Sequence, residues 1–355
     1  MRIKEINIRK ENLELAKPYS ISYKTVDSVE NVIVELFADN GMVGMGVANP
    51  SKYVVNEDVG ECYKTLTSSD LSFLKGSDVS CFYELLNGIH TSFDSSAGSR
   101  VALDVALHDL FTQSLGVPLV HFLGVHHKSM ATSVTIGIMN IEETHREADD
   151  FIKNGFKILK VKLGKTIEED IERTIALRKH IGNKAMIRID ANQGWDFDET
   201  IEFVSATKDL DIELIEQPLK QSAIAEYRKF PDYVKNLVAA DESLVGPADA
   251  FSLANNPKAA GIYNIKLMKC GGIQPAREIA TIARQAGIDL MWGCNDESII
   301  SIAAGLHVAF SCPHTKYIDL DGSLDLAKDV VSGGFTIKDG MMSLTDKPGL
   351  GVKKL

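Results

Sequence analysis

Residues 158–164 read ILKVKLG, 186–190 MIRID, 212–218 IELIEQP, 237–243 LVAADES and 262–268 IYNIKLM. Each is a short apolar run that closes on a charged residue: Lys162, Asp190, Glu216, Asp241 and Lys266 in turn. Successive ends lie about 25 to 30 residues apart, the length of one strand plus one helix. Helical stretches fill the gaps, among them IEEDIERTIALRKHIG and PAREIATIARQAG. Working outward, SVTIGIM precedes the five runs, and DLMWG and YIDLD follow them, which makes eight. Eight alternating strand and helix units predict right-handed parallel connections closing into a barrel. Strands buried on both faces explain the near-continuous hydrophobicity. The predicted fold is α/β: a (β/α) barrel of the modified TIM type over residues 123–321.

Residues 1–122 read as an α+β capping domain. Strand patterns flank Asn40-Gly41, a hairpin signal, and SRVALDVALHDLFTQSLG reads as a helix that Gly116 and Pro118 stop. Residues 322–355, with Gly333-Gly334, Gly349 and Gly351, read as strand and loop that pack back on this domain. The length of 355 residues suits a barrel plus a second unit. A net charge of −11 argues against nucleic acid and anionic membrane as partners. Five scattered cysteines form no metal or redox pair, which fits a reducing cytoplasm. No run has signal-peptide or membrane-span character. A cytoplasmic homo-oligomer acting on a small molecule is expected.

Asp190, Glu216 and Asp241 end strands three, four and five, neighbours on one arc of the rim. Singly, each reads equally as a helix N-cap. Together, converging carboxylates repel one another unless a hard cation sits among them, and Mg²⁺ fits an all-oxygen set. Lys162 and Lys266 end strands two and six, four apart out of eight, so they face each other across the mouth. A substrate carboxylate at the metal would then have an amine on each face of its α-carbon. That suits proton removal from one face and return on the other, through an enediolate. Lys160 and Lys162 share one side of their strand. Their proximity is expected to lower both pKa values, with Lys160 still cationic and holding the substrate carboxylate. Asp319 and Asp321 repeat the period of two on strand eight, where they would bind an ammonium group. Gly271-Gly272 reads as a tight turn, His108 as a packed residue, and Asn192 and Gln193 as residues that orient the metal ligands or cap.

The strings LKVKLG, RIDANQGW, IELIEQP, VAADES and YNIKLMKCGGI, in this order, resemble the muconate-lactonising branch of the enolase superfamily over essentially the whole chain. The general pattern of a lysine base with Mg²⁺ stabilising an ene-diolate is a stated property of that superfamily. Within the branch, Asp319-Leu320-Asp321 resembles the dipeptide epimerases, including L-Ala-D/L-Glu epimerases. The resemblance implies an isomerase that moves the α-proton of the C-terminal residue of a dipeptide. It implies Lys162 and Lys266 as the acid/base pair, Asp190, Glu216 and Asp241 as Mg²⁺ ligands, and Asp319 and Asp321 as receptors of the dipeptide ammonium. Thr135, Lys160 and the loop around Cys294 occupy positions that contact substrate in such enzymes. Lys24 falls where the Ala-Glu epimerases carry an arginine, keeping the charge without the bidentate fork. Asn295 and Asp296 stand where relatives preferring small or acidic dipeptides tend to be apolar, so Lys24 and Asp296 point to different substrates.

Other functions remain to be separated. An o-succinylbenzoate synthase or a muconate-type cycloisomerase would leave Asp319 and Asp321 without a role. A Schiff-base aldolase would need one lysine and no metal. A binding protein on this fold would not need a base on both faces.

Overall fold

A computed structural model describes the backbone of residues 1–21 and 24–355 and the side chains of 1–16 and 27–355. Eight parallel strands form the barrel: Val134–Ile136, Ile158–Lys162, Met186–Asp190, Ile212–Glu216, Val238–Ala240, Ile262–Ile265, Asp289–Gly293 and Thr315–Asp319. They are hydrogen-bonded in chain order. A parallel bridge from Thr132 to Ile318 brings the last strand back to the first. The first strand is shorter than SVTIGIM predicts, because pairing with its neighbour runs only from Val134 to Ile136.

Register decides where the chemistry appears. Lys162 lies opposite Asp190, Asp190 opposite Glu216, and Gly293 opposite Asp319. The polar ends therefore form one row at the C-terminal rim. Two residues earlier on their strands, with the same inward parity, Leu214, Ala239, Met291 and Tyr317 pack with Ile262 in an apolar cluster below that row. Arg188, two residues before Asp190, closes the floor on the other side. It is 1% exposed, pairs with Glu213 (2.6 Å), donates to Ile318 O (2.7 Å) and lies over the Tyr317 ring. Asn140, Thr166, Asp196 and Ser298, not the rim carboxylates, cap barrel helices with their side chains. The three rim acids are thus left for another role.

The capping domain is an antiparallel sheet of Ile3–Ile21, Lys24–Ala38 and Val43–Ala48, packed on the helix Ala97–Ser114. The turn falls at Asn40-Gly41, where Gly41 has φ +87. Gly46 lets sheet and helix backbones meet: a Cβ there would stand 1.9 Å from Ala102 O. The helix is buried on nearly all sides because the barrel covers its other face. Its Asp104 caps a barrel helix, Ile273–Ala286, by accepting from Ile273 N (2.8 Å) and Gln274 N (3.3 Å). His90 (2.8 Å) and His108 (3.1 Å) surround the same carboxylate. Burial alone would raise the Asp104 carboxyl, but the two imidazoles hold it well below the usual range. Gly271 and Gly272 form the turn before that helix at φ +85 and +127, and a Cβ on Gly272 would come 2.5 Å from Asp104 Cγ.

The C-terminal residues return to the capping domain. Ala16 N donates to Asp325 O (2.7 Å), Leu350 N to buried Asp109 (2.8 Å), and Lys354 pairs with buried Glu35 (2.6 Å). Among the described residues no helix is long and apolar enough to cross a membrane.

Candidate active site

The eight strand ends and one segment of the capping domain enclose the site. A cavity of about 160 Å³ lies between residues Ser51, Val54 and Val55 of the cap and the rim groups Lys162, Asp241 and Lys266. Larger clefts of about 450 and 530 Å³ lie elsewhere, against the C-terminal tail and between helices, away from the strand ends. Asn49 of the cap donates to Asp296 O (3.0 Å), tying the loop after the seventh strand to the lid of the cavity.

The lysines bracket the arc of acids. Lys162 Nζ is 3.1 Å from Asp190 Oδ2, and Lys266 Nζ is 2.8 Å from Asp241 Oδ2. Glu216 lies between, with Asn264 Nδ2 donating to its Oε1 (2.9 Å). Lys162 is the more open of the two and also reaches Asn192 Oδ1 (3.1 Å). Lys266, deeper, would lose basicity by burial, but Asp241 and Glu216 outweigh that and raise it.

Among the described residues no three acid, histidine or thiol groups stand close enough together to grip an ion as they are. The outer acids are drawn toward ammonium groups instead. Burial would raise Asp190, yet Lys162 and Lys160 hold it near 2, and Lys266 with Lys269 holds Asp241 well below its usual range. Glu216 differs. Burial and the neighbouring Asp190 push it up to about 8. Glu216 Oε2 is buried without a hydrogen-bond partner; Lys160 Nζ, 2.8 Å away, is poorly aligned with it. A buried carboxylate whose ionisation further positive charge would favour, between two that ammonium groups hold ionised, is a donor set that suits a divalent cation. The residues present fit Mg²⁺.

Lys160 does not stand free as expected for a residue holding substrate. Its ammonium is buried among Asp319 (2.8 Å), Glu216 (2.8 Å) and Asp190 (3.2 Å). Burial would lower its pKa, but these three carboxylates raise it well above the ordinary value. The lowering expected for Lys160 is not found, because the nearer acids raise it. Asp319 is correspondingly committed: it accepts from Lys160 and from Ser133 Oγ (2.6 Å), and despite burial it is held low. Among the described residues the hydrogen-bond partners of Asp321 are neutral: Thr135 N (2.9 Å) and Thr135 Oγ1 (3.1 Å), with Cys294 Sγ at 4.0 Å. Burial and Asp319 push Asp321 up to about 7. Of the pair, Asp319 is the one that Lys160 grips directly; among the described residues no ion pair is formed by Asp321. Burial also raises the Cys294 thiol, which keeps it protonated beside Asp319 O (3.3 Å) and Gly322 N (3.3 Å). The Lys24 side chain lies outside the described residues.

Four residues at the site are not singled out by the sequence pattern: Asn264, Lys269, Gln217 and Ser133. Asn264 was readable in principle, two residues before Lys266 and so on the same side of the strand. Lys269 bonds Asp241 Oδ1, Asp241 O (2.6 Å) and Asn264 O (3.1 Å), so all three of its protons are used. Nothing in the linear sequence points to those partners.

Comparison with known proteins agrees with this geometry. Residues 3–124 match the family model of the mandelate racemase/muconate lactonizing enzyme N-terminal domain, and residues 143–354 match the enolase C-terminal domain-like model. The chain is 47% identical, over 100% of both chains, to an L-Lys-D/L-Arg epimerase of Desulforapulum autotrophicum. It is 35% identical, over 99% of both, to an L-Ala-D/L-Glu epimerase of Clostridium acetobutylicum. Among solved structures, a dipeptide epimerase from Methylococcus capsulatus complexed with Mg and the dipeptide L-Arg-D-Lys superposes with a TM-score of 0.96 at 47% identity, covering 99% of each chain. The bracketed arc of acids and the matched relatives lead to one assignment: this chain belongs to the enolase superfamily, in its mandelate racemase/muconate lactonizing enzyme family.

Proposed function

We propose that this protein is a Mg²⁺-dependent dipeptide epimerase that inverts the α-carbon of the C-terminal residue, with dipeptides bearing basic side chains as its substrate class. The observation that carries the chemistry is the placement of Lys162 and Lys266 at the two ends of the Asp190, Glu216, Asp241 arc. The relatives named L-Lys-D/L-Arg epimerase at 47% identity support the basic side chains.

Asp190, Glu216 and Asp241 would hold the cation, which when bound supplies positive charge to the substrate carboxylate and to the electron density that develops on it. Asp321 receives the dipeptide ammonium and fixes the distance from that end to the reacting carbon. One lysine, neutral at the start, takes the α-proton. The other, protonated, delivers a proton to the opposite face of the planar enediolate. Reversal exchanges their roles, so both epimers are substrates. Lys160 stays cationic, joining Asp319 to the arc across the barrel and keeping the acids in place. The cap segment Ser51–Val55 covers the mouth and limits the entry of water.

The free cysteines Cys62, Cys81, Cys270, Cys294 and Cys312 support a cytoplasmic location. The test is a dipeptide library in deuterated water with Mg²⁺, followed by mass spectrometry. Incorporation of one deuterium into L-Lys-L-Arg-type dipeptides is expected. Dehydration of a succinylbenzoate precursor without dipeptide exchange would favour the lyase instead.

A further inference from the structure

Behind the arc of acids lies a glutamine in an uncommon backbone state. Gln217 directly follows Glu216 and has φ +38, the left-handed region that glycine takes easily and a branched or long side chain takes at a cost in strain. Asn192 and Gln193, after Asp190, share that region at φ +45 and +64. Such strain persists only where surrounding contacts over-determine it, and it concentrates at functional sites.

The contacts at Gln217 are unusually complete. Its side chain is fully buried. Oε1 accepts from Asp241 N (2.9 Å) and Ser243 N (3.2 Å). Nε2 faces Leu219 O (3.0 Å), the Tyr227 hydroxyl (2.9 Å) and the Ser243 hydroxyl (2.7 Å). The backbone N donates to Ala239 O (2.9 Å), and the backbone O accepts from Gln193 N (2.7 Å). One residue is therefore bonded to the segments that follow the third, fourth and fifth strands, at whose ends the three acids of the arc stand. Had the chain continued as ordinary strand, alternation would have turned this side chain to the other face from Glu216. The left-handed turn swings it sideways, onto the main chain of Asp241.

We propose that Gln217 is the positioning residue that sets the spacing between Glu216 and Asp241, so that both carboxylates are presented to a single divalent cation. The proposal rests on the metal assignment made above. Among the described residues the Gln217 side chain hydrogen-bonds no carboxylate. It acts through the Asp241 and Ser243 amides, which fix where the Asp241 main chain stands, while Lys269 and Lys266 orient the carboxylate itself. A glycine at 217 would relieve the backbone strain but could not make these bonds.

The test is Mn²⁺ binding to the purified full-length chain, measured by electron paramagnetic resonance and calorimetry well below the melting temperature. Three proteins are compared: the parent, Gln217→Gly and Ser243→Ala. Loss of partners that hold metal ligands lowers affinity about 10- to 100-fold, and that is the expected weakening for Gln217→Gly. Ser243→Ala removes one acceptor of the Gln217 amide at a half-buried position, and a smaller weakening, about threefold to tenfold, is expected. A folded Gln217→Gly that binds Mn²⁺ as tightly as the parent overturns the proposal. Should Gln217→Gly fail to fold, Ser243→Ala decides: a weaker site supports positioning, and parental affinity overturns it. Failure of the metal assignment reads out separately, as absence of Mn²⁺ binding by the parent itself.

Discussion

Replacing Asp321 by asparagine separates charge from shape at the proposed ammonium site. The Asp321 carboxylate accepts from Thr135 N (2.9 Å) and Thr135 Oγ1 (3.1 Å), and an amide oxygen can accept from the same donors. The fold should therefore survive Asp321→Asn. What is lost is one charge-assisted hydrogen bond to the dipeptide ammonium, worth about 1.5–3 kcal/mol. At about 1.4 kcal/mol per tenfold, KM for a dipeptide should rise about 10- to 150-fold, while kcat changes far less. The pH dependence follows from the same carboxyl. Burial and Asp319 push it up to about 7, so below that pH it is neutral and binds an ammonium poorly. For the parent, KM should climb as pH falls below about 7 and level off above it; for Asp321→Asn that dependence should vanish. The stability sign is opposite. An acid whose folded pKa is raised binds its proton more tightly when folded, so stability is lost as pH rises from the usual carboxylate range to about 7 and stays lost above it. Asp321→Asn should therefore melt no lower than the parent at pH 8. Steady-state kinetics at pH 6 and 8, with melting curves at both, tests each part. A KM within threefold of the parent, or a retained rise in KM at low pH, would refute the assignment.

Lys160→Met removes an ammonium that meets three buried acids, and breaking buried ion pairs one-sidedly costs about 3–5 kcal/mol. Its melting temperature should drop, and Mg²⁺ should restore part of the loss by neutralising the same acids. Buried His307, whose Nδ1 accepts from Val120 N (3.0 Å), is pushed by burial down to about 4. Its contribution is complete above pH 6.5 and is lost as pH falls toward 4. Between pH 7 and 5 it should cost about 2 kcal/mol, a slope that His307→Gln lacks in denaturant titrations. Gly46→Val should prevent the cap from docking, since even a Cβ would meet Ala102 O at 1.9 Å; insoluble or molten protein is expected, and a normal melting curve would contradict the backbone contact.

The barrel was legible because its strands are buried on both faces and end in charge at a constant interval, which leaves a pattern in the linear sequence. The arc of acids and the opposed lysines were legible for the same reason: strand number alone fixes their positions on a closed rim. The partners of those residues were not. Lys160 and Asp319 meet across the barrel, from the second and eighth strands, and no local pattern records which cation takes which acid. The two aspartates of strand eight read as an equivalent pair, yet Lys160 bonds directly to Asp319 and not to Asp321. Gln217 stands beside Glu216 in the quoted string IELIEQP, but its importance lies in a backbone angle that glutamine rarely adopts, which composition does not disclose. The cap's part in the site was equally hidden, because Ser51, Val54 and Val55 carry no charge and reach the mouth only through the packing of Ala97–Ser114 on the barrel.

The central claim is that two amines flank one α-carbon. Lys162→Ala and Lys266→Ala, each mixed with the L,L and L,D forms of a basic dipeptide in deuterated water at single turnover, test it most directly. Each variant should exchange the α-proton of one epimer and not the other, and the two variants should have opposite preferences. Equal loss of exchange from both epimers in each variant, or retained exchange of both, would contradict the two-base account.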